Sequence, residues 1–323
     1  MNFSGIQREG GSTAELESLK KSNDVGPIAT NPEFPSSNED AIPSEANAIT
    51  AFVDSVGRAM GQVIFLNSPV SGAFLLGGLM IGGGLNLATL AVLATVVSNG
   101  TAILAGMDSA SNKAGLWGYN GCLVGCAMAV FGPVHIAMTT VATFIGAIAS
   151  TFVMAALKEA SGVPQWTFAF NVVALSVFLY TQPLSAVDDG AKSAAVVAPL
   201  TTMDFLAIPF VGISQIFLVE SAVAGVTMTV GIASYSYGLG AHALIGSTVG
   251  SLVGIACGAG LSEITMGLWG YNPALTSMAV GTFFVHSLPV ALLSVGGAAA
   301  TAVIYGAMET AFGAAGSPCL TLP

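Results

Sequence analysis

Gly115-Leu116-Trp117-Gly118-Tyr119-Asn120 is a stretch of six residues that the chain contains twice. It returns as Gly267-Leu268-Trp269-Gly270-Tyr271-Asn272, at an offset of 267 − 115 = 152 residues. The whole chain has three Trp and six Tyr, so six identical residues in a row that include both types do not recur by chance. This stretch therefore predicts an internal duplication.

Two further groups of residues repeat in the same order on either side of this stretch. The first group is Gln62, Ser68 and Gly72, which match Gln215, Ser221 and Gly225 at an offset of 215 − 62 = 153. The second group is Pro164 and Thr167, which match Pro318 and Thr321 at an offset of 321 − 167 = 154 for the threonines. Together they predict a first membrane repeat over residues 47–193 and a second over residues 194–323.

The composition places both repeats in a membrane. Hydrophobic residues make up 54% of the chain and charged residues 7%, and the mean hydropathy is +0.80. A soluble globular chain carries about 25% charged residues, which help to cover its surface. This chain has too few charged residues to cover a surface in that way. We therefore predict an all-α integral membrane protein that crosses the lipid bilayer several times.

Apolar runs predict about five transmembrane helices in each repeat. In the first repeat these runs lie near residues 49–61, 70–83, 85–106, 119–157 and 164–182, and the fourth is long enough for two spans. If each repeat has an odd number of spans, the two repeats are inverted in the membrane. Short segments broken by Gly or Pro mark the site in such folds, so residues 61–72 and 214–225 are each predicted to form a re-entrant pore half-helix.

The first 46 residues have a different character. They are rich in Ser, Asn, Glu, Pro and Gly, and residues 1–45 contain eight acids and three bases. This composition predicts a disordered acidic N-terminal tail. The net charge of −10 and the lack of a basic patch argue against nucleic-acid binding. The four Cys fit no zinc or disulfide framework, and we expect neither a metal nor a cofactor.

The polar residues within the apolar runs indicate the kind of solute. No Lys or Arg occurs after Lys192, and no pair of carboxylates lies in a continuous apolar span, as ion-coupled transport would generally require. A passage for a neutral polar solute fits better, and it needs hydrogen-bonding groups along its length. Gln62 and Gln215 offer amides for this purpose, and Thr167 and Thr321 offer hydroxyls in first helical turns, where they could equally serve as caps.

Two other functions remain open on the residues alone. His135 and His286 occupy nearly equivalent positions in the two repeats, and a pair of histidines in a pore would suggest a channel for ammonium or another small neutral solute. A membrane protein without transport activity is the second alternative. Because no Ser, His and Asp set suggests a nucleophilic site, an enzyme is not expected.

Three motifs resemble those of the urea transporters of animals and bacteria. They are the two Gly-Leu-Trp-Gly-Tyr-Asn stretches, the stretch from Gln62-Val63-Ile64-Phe65 to Ser71-Gly72, and Pro164-Gln165-Trp166-Thr167-Phe168-Ala169-Phe170-Asn171. The resemblance covers residues 48–323. It implies a passive channel for urea and related small amides, with two inverted repeats of five spans and a re-entrant pore helix each, assembled as a homotrimer.

The resemblance also implies which residues line the pore. Urea would pass through a narrow slot with apolar walls and acceptor groups along one edge. The residues at matching positions are Gln62, Val63, Phe65, Leu123 and Thr167 in the first repeat, and Gln215, Ile216, Leu218, Leu275 and Thr321 in the second.

The second repeat departs from the first at three places. Leu218 stands where the first repeat has Phe65, with Phe217 as a possible substitute for the aromatic ring, and Glu220 stands where the first repeat has Asn67. The second repeat also stops at Pro323, before a counterpart of the helix that follows Thr167. The last helix therefore looks truncated, and we expect a chain extended by about 20 residues to be more stable and more active.

The location in the cell follows from the same pattern. A multi-pass protein of the cell membrane with an even number of spans has both termini on one side. The bases Lys20, Lys21 and Arg58 favour the cytoplasm for that side.

Overall fold

The computed structural model describes residues 47–133, 135–161, 165–185 and 201–321. Within these ranges the protein is helical and has no β-strand. The predicted N-terminal tail, residues 1–46, lies outside the described residues, as do Pro164 and residues 186–200 at the junction of the predicted repeats.

The helices follow one another in two matching series. The first series is α1 (Ala48–Gln62), α2 (Pro69–Leu104), α3 (Ser109–Lys113), α4 (Tyr119–Phe131), α5 (Ile136–Ser161) and α6 (Phe168–Ser185). The second series is α7 (Thr202–Gln215), α8 (Ala222–Tyr235), α9 (Tyr237–Ala256), α10 (Leu261–Thr265), α11 (Tyr271–Phe283) and α12 (Leu288–Ala314).

The two series differ at one junction and at their ends. The long helix α2 corresponds to α8 and α9 together, and it has a kink at Gly84, where φ is 77°. The sequence predicts two spans at this point, over residues 70–83 and 85–106, and the kink lies between them. Helix α6 has no counterpart among the described residues of the second series.

Four helices are long and apolar enough to cross a membrane: α2, most of α5, α9 and α12. The remaining apolar helices of the described part are shorter, between 13 and 18 residues. The prediction of a helical membrane protein is therefore confirmed.

Small residues let the helices of each series approach closely. Gly246 and Gly250 on α9 lie against Pro273 of α11, with backbone carbonyls at the contact. Gly121 and Gly125 on α4 lie against α2 in the same way. A methyl group at any of the four would meet a neighbouring atom, so these glycines permit the close approach of the helices.

The predicted position of the half-helices, at residues 61–72 and 214–225, is wrong. Each segment is a chain reversal in which one helix ends at the glutamine and the next begins after a serine. Ser68 and Ser221 cap the new helices by accepting from the backbone N–H groups of Ser71 and Ala224, at 3.1 and 3.2 Å. The repeated serine therefore marks the start of a helix. The sequence alone predicts the end of a half-helix at this serine.

The two series contact each other through the first part of α2 and through α8. Gly78 lies against the carbonyl oxygen of Ala224, and Gly231 lies against that of Ser71. Ser71 precedes Gly78 on α2, but it contacts Gly231, which follows Ala224 on α8. The two helices therefore run antiparallel. The two contacts also correspond to each other, because 224 − 71 = 231 − 78 = 153.

Helix α6 covers the groove between α4 and α5. Val173 of α6 lies near Val124 of α4 at Gly146 of α5, and Phe178 packs edge-on against Phe131 with ring centroids 5.5 Å apart. The corresponding groove between α11 and α12 carries no such helix among the described residues. It forms one wall of the cavity described next.

Candidate functional site

A cavity of about 1150 Å³ lies between the two series of helices. The first series contributes the reversal after α1, the α3–α4 segment, the end of α5 and the loop before α6. The second series contributes one face each of α11 and α12. Lys158 is the one charged residue among those that line it, and the cavity reaches from this exposed side chain to the buried Thr167.

Gln62 is the last residue of α1 and lines the cavity. Its amide nitrogen donates to the backbone carbonyl of Ala114 at 3.0 Å. This bond fixes the side chain and leaves the amide oxygen as the group that can accept from a solute.

Phe65 lines the cavity from a tight reversal. Its φ is +65°, and its N–H donates to the carbonyl of Gln62 at 3.2 Å. A left-handed conformation is uncommon for a bulky residue, and it places the ring edge-on to Phe283 of α11, with centroids 6.2 Å apart. Leu218 has the matching conformation, with a φ of +61° and a bond from its N–H to Gln215 at 2.9 Å.

Thr167 carries a buried hydroxyl at the cavity. The residue is 5% exposed, and its Oγ1 has no hydrogen-bond partner among the described residues. Thr321 is 2% exposed, and its Oγ1 also lacks a partner within the described part of the chain. The Thr167 hydroxyl does not cap α6, so the capping alternative is wrong for Thr167.

One amide joins the two threonine segments. The side-chain nitrogen of Asn171 on α6 donates to the carbonyl of Thr167 at 3.0 Å and to the carbonyl of Thr321 at 2.6 Å. Thr167 and Thr321, which lie 154 residues apart in the sequence, therefore meet at the junction of the two series. We did not predict this role for Asn171 because the sequence shows no second copy of it.

The ten predicted site residues divide into two sets. Those that line the cavity are Gln62, Val63, Phe65, Thr167 and Leu275. Those that lie outside it are Leu123, Gln215, Ile216, Leu218 and Thr321. Leu123 and Ile216 are completely buried, so the cavity does not extend from Gln62 as far as Gln215. Phe217 is also fully buried, so it does not supply the ring that Leu218 lacks.

Several lining residues were not predicted. Thr276 of α11 and Thr301 of α12 are hydrogen-bonded to each other at 2.8 Å, and both line the cavity. Lys158 places its ammonium 5.2 Å from the centre of the Trp117 ring. The available signal for Lys158 was its place among the seven basic residues of the chain.

The exposed end of the cavity has a polar rim. Asp108 caps α3 by accepting from the N–H of Ser111 at 2.9 Å. Hydrogen bonds from Ser111 and Ala110, together with the charge of Lys158, lower the pKa of Asp108 below its ordinary value. In the second series, the indole N–H of Trp269 donates to the carboxylate of Glu263 at 2.9 Å.

The histidines do not lie at the cavity. His135 is exposed, and His286 contacts the carbonyl of Gly281 at 3.0 Å. The ring of His286 lies 5.2 Å from that of His242, which contacts Ser294 at 2.8 Å. The residues that would support an ammonium channel thus belong to a different part of the fold.

Spanning helices around a cavity that presents amide and hydroxyl groups define a membrane transport protein. Comparison with known families makes the class specific, because residues 53–323 match the urea transporter family. The chain belongs to the urea transporter family. The matched range contains every residue that lines the cavity.

Two relatives show the extent of the similarity. The chain is 31% identical over 261 residues to urea transporter 1 of Rattus norvegicus, which covers 73% of this chain and 65% of the relative. It is also 31% identical over 295 residues to urea transporter 1 of Ovis aries, covering 84% of this chain and 74% of the relative. The match thus spans slightly less than two thirds of the length of the rat protein.

Proposed function

We propose that the protein is a passive channel for urea and related small amides, which move down their concentration gradient. The observation that carries the proposal is the pairing of Gln62 and Thr167 with apolar walls in one cavity. Phe65 and Leu275 offer flat apolar surface to a planar solute. The glutamine amide and the threonine hydroxyl offer hydrogen bonds to its edge.

The family supports the choice of solute. Relatives with 31% identity are named urea transporter 1, and urea is planar, uncharged and bears both donors and acceptors. A wholly apolar passage would leave these groups without partners, at a cost of roughly 2–7 kcal/mol for an amide-like group. Hydrogen-bonding side chains along the path lower that cost.

The passage continues, in this proposal, through the second set of predicted residues. Gln215, Ile216, Leu218, Leu123 and Thr321 correspond by position to Gln62, Val63, Phe65, Leu275 and Thr167. The described conformation is closed on their side, because Leu123 and Ile216 are fully buried. Side-chain movement at these positions would open the second half of the path.

Inverted orientation of the two repeats is part of the same proposal. Equivalent segments of α2 and α8 run antiparallel and exchange matching contacts between Gly78, Ala224, Gly231 and Ser71. Two antiparallel elements related by a two-fold rotation require an axis perpendicular to both. For helices that cross a bilayer, that axis lies in the membrane plane, which is the arrangement of inverted repeats.

The assembly and location are proposed from the family resemblance. They are a homotrimer in the cell membrane, with both termini in the cytoplasm. Arg58 contributes little to this orientation, because it is 8% exposed and bonded to Asp54 and Asn67. Crosslinking in native membranes tests the trimer, and protease access to a tag before residue 47 tests the orientation.

Stopped-flow light scattering of proteoliposomes tests the solute. We expect urea to enter much faster than into empty liposomes, while glycerol does not. Ammonia is the discriminating control, because fast ammonia flux with unchanged urea flux would support the ammonium alternative. Replacement of both His135 and His286 by Ala should leave urea flux near the wild-type value.

A further inference from the structure

The repeated Gly-Leu-Trp-Gly-Tyr-Asn stretch ends in an asparagine that brackets Thr167. Asn120 is completely buried. Its amide nitrogen donates to the carbonyl of Trp166 at 3.2 Å, and its amide oxygen accepts from the N–H of Phe170 at 3.0 Å. One side chain therefore holds the backbone on both sides of Thr167.

Tyr119 adds a second donor to the same carbonyl. Its hydroxyl donates to the oxygen of Trp166 at 2.6 Å. Trp166 has a φ of +40°, a conformation that residues other than glycine seldom adopt and that persists only when its surroundings determine it. The two hydrogen bonds to the carbonyl oxygen of Trp166 hold it in this conformation.

The Thr167 hydroxyl depends on this backbone for its direction. Its Oγ1 has no hydrogen-bond partner among the residues that the structure describes, so no side-chain bond from these residues orients it. The loop that Tyr119 and Asn120 hold is thus what keeps the hydroxyl at the cavity. A looser loop would widen the passage at this point and blur the position of its polar atom.

The second repeat contains the tyrosine part of this arrangement. The hydroxyl of Tyr271 donates to the carbonyls of Cys319 and Leu320, at 2.9 and 3.1 Å. These are the two residues directly before Thr321, whose hydroxyl also lacks a partner. Asn272, the counterpart of Asn120, is 1% exposed. Two copies of one motif thus hold two threonine segments that meet at Asn171.

We propose that Tyr119 and Asn120 are positioning residues that set the selectivity of the passage by fixing the Thr167 hydroxyl, with Tyr271 doing the same for Thr321. This inference rests on the proposed urea channel. It assigns a role to the repeated motif beyond helix packing. A residue that served only to stabilise the fold would change the amount of active protein and leave selectivity intact.

The test is the ratio of urea to N-methylurea permeability in proteoliposomes. The ratio does not depend on how many molecules are folded, because both fluxes scale with that number. Tyr119→Phe removes only the hydroxyl, so it is the mild variant, and Asn120→Leu removes both amide groups. We expect the ratio to fall about threefold to tenfold in each, the range for the loss of one hydrogen bond.

A matched control separates this effect from a general loss of stability. Tyr235 is half-buried at the end of α8 and does not line the cavity. Tyr235→Phe should leave the ratio at its wild-type value. Thr167→Val should lower the ratio in the same direction as Tyr119→Phe, and the double variant should match Thr167→Val alone, because residues that act through one another are not additive.

The outcomes distinguish the two proposals. A wild-type ratio in Tyr119→Phe and Asn120→Leu, with urea flux otherwise present, overturns the positioning role and leaves the urea channel intact. Equal shifts of the ratio in Tyr119→Phe and Tyr235→Phe overturn it as well. Absence of urea flux from the wild-type protein overturns the proposed function and this inference with it.

Discussion

Thr167 carries a buried hydroxyl that no group of the described residues satisfies. Such a group usually costs about 1–3 kcal/mol, and proteins retain it where it has a use. In a urea pathway the passing solute supplies the missing partner, so the cost in the empty protein becomes a favourable contact when solute is present. The same reasoning applies to Thr321.

Thr167→Val should therefore raise the free energy of unfolding by up to about 1 kcal/mol or leave it unchanged. Thr95→Val is the matched control, because Thr95 is equally buried but its hydroxyl donates to the carbonyl of Ala91 at 2.7 Å. We expect this control to lose stability. Thermal unfolding in detergent micelles gives both values, and an equal loss in the two variants would contradict the account.

The two leucines of the predicted slot should respond differently to truncation. Leu123 is fully buried and lies outside the cavity, whereas Leu275 lines it. Leu123→Ala should lower the free energy of unfolding by about 2–5 kcal/mol through the void that it leaves. Leu275→Ala should cost less stability and raise the flux of N-methylurea relative to urea.

Unfolding curves and the two fluxes decide between these roles. If Leu123→Ala changed selectivity with little loss of stability, Leu123 would line the passage as the resemblance implied.

Repetition in the sequence was sufficient to single out Gln62 and Thr167, but not their surroundings. The bond from Gln62 to the carbonyl of Ala114 joins positions 52 residues apart, and no local pattern encodes it. The left-handed backbone at Phe65 was equally hidden, because phenylalanine disfavours that conformation. Asn171 could not be found from a local pattern, since its contact with Thr321 joins positions 150 residues apart.

At the scale of helices, close backbone contacts fix the hairpins that present the glutamines. A methyl group on Gly72 of α2 would meet the carbonyl oxygen of Gly57 on α1, and one on Gly225 would meet that of Phe210 on α7. The equivalent contacts explain why the glycine recurs in both repeats. The reversals between these helices then place Gln62 and Gln215 at corresponding points.

Gly72→Ala should destabilise the protein by about 1–3 kcal/mol or more, because backbone atoms must move to admit the methyl group. Gly100→Ala is the control within the same helix, since nothing lies within 4 Å of its added methyl. That variant should gain up to about 1 kcal/mol from better helix propensity. Thermal unfolding in the absence of guanidinium measures the stability of both variants. Similar stabilities of the two would refute the packing argument.

Helix positions were largely predictable because the apolar runs are long and uninterrupted. The predicted runs at residues 49–61, 70–83 and 85–106 agree closely with α1 and the two parts of α2. The supposed half-helices failed for a physical reason. Gly61 lies against the carbonyl of Leu66, and this close approach turns the chain back where its apolar character alone would allow a helix to continue.

At the scale of the whole molecule, a positive charge lies at the exposed end of the cavity. Lys158 of the first repeat lines the cavity and lies over Trp117. In the second repeat, Tyr305 of α12 packs edge-on against Trp269 instead. A neutral solute is insensitive to the Lys158 charge, whereas a cation of similar shape is repelled at that end.

Lys158→Glu should make urea flux more sensitive to inhibition by guanidinium, which is planar like urea but charged. We expect half-inhibition at a guanidinium concentration several-fold lower than in the wild type, at constant ionic strength. Lys113→Glu changes the charge equally at an exposed site that does not line the cavity. It should show little change, and an equal effect of both variants would argue against a local role for Lys158.

The central claim is that the cavity bounded by Gln62 and Thr167 is the passage for urea, and stopped-flow urea flux in proteoliposomes tests it most directly. The wild-type protein should carry urea well above empty liposomes, and Gln62→Leu and Thr167→Val should each lower the flux per folded molecule by roughly threefold or more. Wild-type flux no faster than empty liposomes, or undiminished flux in both variants, would contradict the account.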